Sequence, residues 1–290
     1  MAKLGAVPVS NVVTSDDKLT ALWTSLEASA DFSLDVTRLG IVGPPGQGKT
    51  TATISLSEFA PATLPASERI ILKDMFYVVA DKGGMDTLKA FGLDAAKIDI
   101  SATDPFEDNL STVLDKVAMA AEAAVKIGGV KHVVVDTVSA IDNLLLVYAK
   151  ANFDKYGIFD YILAEHTKLL HRLTALPATT CFLFHGKVIA GDALNSDGRE
   201  KLERSKKATM GSVADVEIEV TGQSRALYRK HVSAILPIFK TQIDKRTAEY
   251  NFYPRGAFSF EGKSRFWMLD EKEPANLKRL IEKIKQAQPK

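Results

Sequence analysis

Residues 43–50 read Gly-Pro-Pro-Gly-Gln-Gly-Lys-Thr, and this spacing carries the most specific chemistry in the chain. It fits G-x-x-x-x-G-K-[ST], a loop whose backbone N–H groups cradle phosphate oxygens. Gly43, Gly46 and Gly48 let the backbone approach an anion closely, with Pro44, Pro45 and Gln47 completing the turn. Lys49 is expected to reach the β- and γ-phosphates, Thr50 to offer its hydroxyl to Mg²⁺, and Thr51 to close the phosphate-binding run. The apolar Leu39, Ile41 and Val42 lead in, and helix-compatible sequence from Thr51 to Phe59 follows, which is the strand–loop–helix context this motif needs. The expected ligands are ATP and Mg²⁺.

A second group belongs to the same chemistry. His132 to Asp136 (His-Val-Val-Val-Asp) reads as a buried strand ending in a carboxylate, and Asp136 is placed to hold Mg²⁺ opposite Thr50. Hydrolysis also needs a group to position the attacking water. Thr137, not glutamate, follows Asp136, so the water-positioning group must come from elsewhere.

The elements that carry these residues are legible from apolar patterning. Strand-like runs cover Arg38 to Val42, Met75 to Ala80, Lys97 to Ile100, His132 to Asp136 and Thr180 to Phe184. Their continuous β-branched and aromatic character predicts strands covered on both faces. Helices are expected at Thr51 to Phe59, Met85 to Phe91, Pro105 to Ile127, Ser139 to Asn152 and Ile158 to Leu176, with Asp104 capping the third and Gly128-Gly129 ending it. Such alternation predicts an α/β fold, a mostly parallel sheet flanked by helices, with ligands beyond the carboxyl ends of the strands. After Phe184, a polar loop is expected from Ala190 to Ser212. Strands at Val216 to Val220, Ala234 to Thr241 and Glu249 to Tyr253 would form a C-terminal antiparallel extension. A final helix is expected over Glu273 to Gln286, with Pro274 in its first turn. Residues 1–35 are expected to form an N-terminal helical segment and 36–290 the main domain.

Gly43 to Thr51, Asp81-Lys82-Gly83-Gly84 with Thr87-Leu88 behind it, and Val133 to Thr137 together resemble a RecA-like P-loop core. Within that group the chain is most similar to the phage nucleotide-binding, Sak-like single-strand annealing and recombination proteins. The amphipathic Thr167 to Leu176, the polar His185 and the late Gly-Lys-Ser-Arg of residues 262–265 add to the likeness, which covers roughly residues 36–285. The resemblance implies an ATPase that acts with single-stranded DNA in recombination, annealing or replication. It also implies a homo-oligomer, ring or filament, in the host cytoplasm. It implies further that Asp81 or Lys82 flanks the attacking water and that His185 reports the phosphate state. The usual family pattern is Asp-x-Glu-Gly-Gly, and Lys82 stands at its glutamate position.

Composition leaves this reading room. The 290 residues are 46% apolar and 25% charged, ordinary for a globular chain, and the net charge of +1 means that nucleic-acid binding must come from local patches. Local basic groups occur at Lys187 to Lys207, at Arg225, Arg229 and Lys230 around Tyr228 as a stacking aromatic, and at Lys240, Lys245 and Arg246. Lys263 and Arg265 are candidates for reaching a neighbouring subunit's nucleotide. Phe252, Tyr253, Phe266 and Trp267 are expected in the core. Cys181 is the only cysteine, so no intramolecular disulfide forms; neither a secretory signal nor a membrane-spanning run is expected, and the histidines lack zinc-site spacing. Three alternatives stay open: a degenerate nucleotide-binding protein that regulates a partner, a small-molecule kinase, and a helicase-like ring motor.

Overall fold

The computed structural model describes residues 37–56, 70–90, 93–190, 213–242, 248–254, 263–266 and 268–286. The first half runs β1 (Arg38–Gly43), α1 (Lys49–Ile54), β2 (Ile70–Val79), α2 (Lys82–Ala90), β3 (Leu93–Asp99), α3 (Leu110–Lys126) and β4 (His132–Asp136). Next come α4 (Val138–Asn152), α5 (Gly157–Thr174), β5 (Thr179–Ala190), β6 (Val213–Ile218) and α6 (Gly222–His231). The chain closes with β7 (Ala234–Gln242), β8 (Ala248–Phe252), β9 (Lys263–Ser264), β10 (Glu273–Pro274) and α7 (Leu277–Gln286). The expected helical segment over residues 1–35 and most of the expected 190–212 loop lie outside the described residues.

The sheet order is β10-β8-β7-β1-β5-β4-β2-β3, with β6 added to β5 and β9 to β7. Every neighbouring pair from β7 to β3 is parallel. The α/β architecture is therefore as expected, a mostly parallel sheet with helices and antiparallel strands toward the C-terminal end. One strand of the expected antiparallel extension changes class. β7 pairs parallel with β1, and only its other side accepts the antiparallel β8 and β9.

The unbroken apolar runs are explained by two cores, one on each face. Val133 and Val135 join Val42, Phe182 and Phe184 against α3, α4, α5 and α6. Val134, between them, joins Leu39, Ile41, Cys181 and Leu183 against α1, α2 and α7. Successive strand side chains point to opposite faces, so a strand covered on both sides needs apolar residues at every position.

Helix boundaries moved where caps decide them. α3 starts at Leu110 because the Asn109 side chain accepts from the Thr112 N–H at 3.1 Å. Asp104, the expected cap, instead accepts from Phe106 N–H and from no helical amide beyond it, making a separate turn. Gly129, at φ 68°, ends the helix as expected. Pro274 is not in the last helix. It lies in β10 against β8, and Asn276 caps α7 by accepting from Arg279 N–H at 3.0 Å. Among the described residues no helix is long and apolar enough to cross a membrane.

Candidate nucleotide site

Parallel register brings the chemically distinctive residues to one level. Gly43 at the end of β1 is the partner of His185 in β5, and Val79 at the end of β2 is the partner of Asp136 in β4. All four therefore stand at the carboxyl edge of the sheet, where loops rather than helices cover the strand ends. The fifth strand does not end at Phe184, as the apolar run implied. It continues to Ala190 in antiparallel pairing with β6, so His185 sits where the parallel part of the sheet stops.

Between β1 and α1 the chain turns through Gly46 and Gly48, at φ 77° and 81°, a region that L side chains rarely adopt. Lys49 opens α1 and is only 6% exposed. Its Nζ donates to the carbonyls of Gly43 and Pro44, at 2.8 and 3.0 Å. Burial lowers its pKa, and the carboxylates of Asp136 and Asp81 oppose that shift. Thr50 Oγ1 donates to Asp136 Oδ2 at 2.6 Å. Burial pushes the Asp136 carboxyl up to about 6, against the pull of the Thr50 hydroxyl and Lys49. The Asp136–Thr137 peptide bond is cis.

Asp81 reaches the same place because β2 has already ended. The amides of Ala80 and Asp81 both donate to the Asp136 carbonyl, at 2.7 and 3.1 Å, and the chain leaves the sheet there. Asp81 Oδ1 accepts from Gly83 N–H at 3.0 Å, and its Oδ2 lies 3.3 Å from His185 Nε2. The His185 backbone N–H donates to Ser139 Oγ at 2.9 Å, so α4 also holds this residue. Burial and Lys49 lower the His185 pKa, while Asp81 draws it back up.

A cavity of about 230 Å³ is lined by Pro45, Gly46, Gly48, Lys49, Thr50, Thr51, Asp81, Gly83, Gly84, Thr87, Asp136, Thr137 and His185. It holds most of the residues singled out in the sequence. Gly43, Pro44 and Gln47 stand behind it: the first two supply carbonyls to Lys49, and Gln47 Oε1 accepts from Lys240 N–H at 2.6 Å. Lys82 is placed apart from these residues: it is exposed at the first residue of α2 and is not among those lining the cavity. The geometry thus brings Asp81, not Lys82, to the site.

The donor set fits a magnesium nucleotide. Thr50 and Asp136 are hard oxygen donors a hydrogen bond apart, as Mg²⁺ prefers. A buried carboxylate held up in pKa by desolvation gains most from a neighbouring cation. Lys49, conversely, is a buried ammonium whose hydrogen-bond partners are two neutral carbonyls, and an anion would compensate it better.

Tyr228 is a correction to the stacking role expected of it. It is fully buried, with its hydroxyl 3.0 Å from His166 Nδ1, and cannot stack on a base. His166 Nε2 in turn pairs with Asp142 Oδ1 at 2.9 Å. Asp142 and Ser139 on α4 were not singled out in the sequence. Their signal was available: Asp142 interrupts the apolar stripe Val138, Ile141, Leu145 and Ala149, and a polar residue there needs buried partners. Phe252 is in the core as expected, whereas Lys245, Arg246 and Trp267 lie outside the described residues.

A larger cavity, about 610 Å³, shares His185 and lies beyond it, between Ser139, Asp142, Asn143, Thr221 and Arg225. It lacks Lys49, the Thr50–Asp136 pair and the glycine loop, so size does not mark the candidate nucleotide site here.

Comparison with known proteins adds little beyond this geometry. No family model matches the chain, and no curated protein matches it in sequence. Among solved structures, a KaiC-like protein of the archaeon Pyrococcus horikoshii OT3 is 15% identical with a TM-score of 0.38, over 74% of this chain and 76% of that one. An ATPase of the type III secretion system of pathogenic bacteria is 16% identical with a TM-score of 0.41, over 70% of this chain. The match spans about half, 51%, of that ATPase.

One test addresses the packing of the site alone. A Cβ at Gly84 would run into a carboxylate oxygen of Asp136. Gly84→Val is expected to cost about 1–3 kcal/mol of stability through overpacking, read by urea unfolding without ligand. An unchanged midpoint would mean that α2 does not pack on Asp136.

Proposed function

We propose that the chain is a RecA-like P-loop ATPase, phage-encoded, that acts with single-stranded DNA in recombination, annealing or replication. One observation carries the nucleotide part: Lys49, Thr50, Asp81, Asp136 and His185 converge on one cavity beside a glycine loop of matching spacing. Lys49 and the amides from Gly43 to Thr51 bind the phosphates. Thr50 and Asp136 hold Mg²⁺, which when bound offsets the charge developing on the transferred phosphoryl group. Asp81 accepts a proton from, or orients, the attacking water, and the Asp81–His185 contact couples that position to β5. From His185, β5 runs directly to the chain segment that carries Arg199, Lys201, Arg204, Lys206 and Lys207. That connection supports a DNA contact responsive to the phosphate state. The ring or filament of identical subunits and the host cytoplasm are carried over from the resemblance alone.

A second reading keeps nucleotide binding without turnover. It is favoured by Lys82, which stands where the resemblance offers glutamate and is turned to solvent. Phosphate release with and without single-stranded DNA separates the two, and gel shifts with ATP, with ADP and without nucleotide test the DNA arm. Under the first reading single-stranded DNA is bound more tightly with ATP and speeds phosphate release. Equal affinity in all three conditions would remove the recombination role. A phosphate-release rate unaffected by Lys49→Ala would assign turnover to a contaminant.

A further inference from the structure

His185 stands at a gap in the sheet. On the β4 side of β5 the parallel ladder reaches Val135 and Phe182, because the chain turns into α4 after Asp136. Antiparallel pairing with β6 starts only at Gly186. The two backbone groups of His185 on that side are met from two other elements. Its N–H donates to Ser139 Oγ at 2.9 Å, and its carbonyl accepts from Glu219 N–H at 2.9 Å. Ser139 is 8% exposed and sits in the first turn of α4, whose cap is the Thr137 side chain accepting from Ala140 N–H at 3.2 Å. One short stretch, 136–140, thus carries the candidate magnesium carboxylate, the helix cap and the group that holds His185.

The imidazole has far to reach. In the sheet order β5-β4-β2 it passes beyond the end of β4 to bring Nε2 within 3.3 Å of Asp81 Oδ2, in the residue that follows β2. From that length, a retreat of β5 by about 1 Å would break the contact. The charged groups that act on the ring are Lys49 from α1, Asp81, and Glu219 beyond β6; the lysine opposes the imidazolium and the two carboxylates favour it. We propose that Ser139 is a positioning residue: by holding the His185 backbone it keeps the imidazole on Asp81, and it serves turnover rather than nucleotide affinity. The turnover part rests on the ATPase reading above. Ser139 is not among the residues lining the nucleotide cavity; it borders the larger one. Without its hydroxyl, water from that larger cavity satisfies the His185 amide and the fold survives, but a water does not hold the strand at one distance from Asp81.

Titration of the His185 imidazole by nuclear magnetic resonance, on the full chain without nucleotide, reads the clamp directly. Ser139→Ala should lower the His185 pKa, because the ring is released from an anion that favours its protonated form. Asp81→Asn should lower it as well, and adding Ser139→Ala to Asp81→Asn should lower it no further, since both act on one contact. Ser139→Thr keeps the hydroxyl and should titrate as wild type. Ser139→Cys, which offers a weaker acceptor, reads the same way as alanine if that variant fails to fold. A His185 pKa in Ser139→Ala equal to wild type overturns the clamp, as does a fall that persists in full beside Asp81→Asn. In phosphate-release assays Ser139→Ala should lower kcat about tenfold to a hundredfold with KM unchanged, and threonine should restore it. An unchanged kcat sinks the turnover role, whatever happens to KM. Wild type without phosphate release removes the ATPase reading, and the titration then decides the clamp alone.

Discussion

Lys49→Ala is expected to weaken ATP binding between about thirtyfold and several thousandfold while leaving the unliganded fold as stable as before. The first half follows from removing one member of a buried, hydrogen-bonded charge pair, which costs about 2–5 kcal/mol. The second half follows from what Lys49 does without ligand. Its ammonium is buried against two neutral carbonyls, and burial already lowers its pKa. Truncation loses those two bonds and the packing of the stem, but it also relieves a desolvated charge, and these effects oppose one another. Equilibrium dialysis with ATP and thermal unfolding without it read the two halves separately. A Kd within about threefold of wild type would show that Lys49 does not meet the phosphates. A collapse of the melting temperature would show that it is structural.

Asp142→Ala is expected to be the most destabilising single truncation outside the apolar core, at about 3–5 kcal/mol. Asp142 is 6% exposed and its two oxygens serve three donors. Oδ1 meets His166 Nε2 at 2.9 Å, and Oδ2 accepts from the Thr221 amide at 2.9 Å and its hydroxyl at 2.5 Å. These bonds tie α4 to α5 and to the residue that caps α6. Alanine would strand a fully buried imidazole and a backbone N–H without their acceptor, and the desolvation of those groups would no longer be offset. Asn at the same position keeps one acceptor and should recover part of the loss. Urea unfolding of the three proteins measures this; a difference below about 1 kcal/mol for alanine would mean that the network is replaceable by water.

Much of the site was readable because its parts are local. The run from Gly43 to Thr51 specifies its turn through glycines at fixed offsets, and Asp136 ends an apolar strand whose burial is evident from Val133 to Val135. Strand positions were readable for the same reason, since each run had to be apolar on both faces. Other assignments depended on distance in the chain. Asp81 and Lys82 are adjacent in sequence, and only the point at which β2 stops decides which one faces the cavity. That point is set by the Asp136 carbonyl, which takes both the Ala80 and the Asp81 amides. The fate of Tyr228 was likewise invisible: it sits among Arg225, Arg229 and Lys230, yet its ring faces Phe182 and Phe184 from β5.

Patterns that repeat within a few residues encode backbone shape and burial directly, because propensity, turn chemistry and alternating faces act between neighbours in the chain. Hence the glycine loop, the β-branched strands and the α/β class were written in residues 38–184. Pairings between distant segments have no such local imprint. That β7 would align parallel to β1, that Tyr250 would settle on Gly48, and that Asp142 would bind His166 and Thr221 depended on which surfaces met after the sheet assembled.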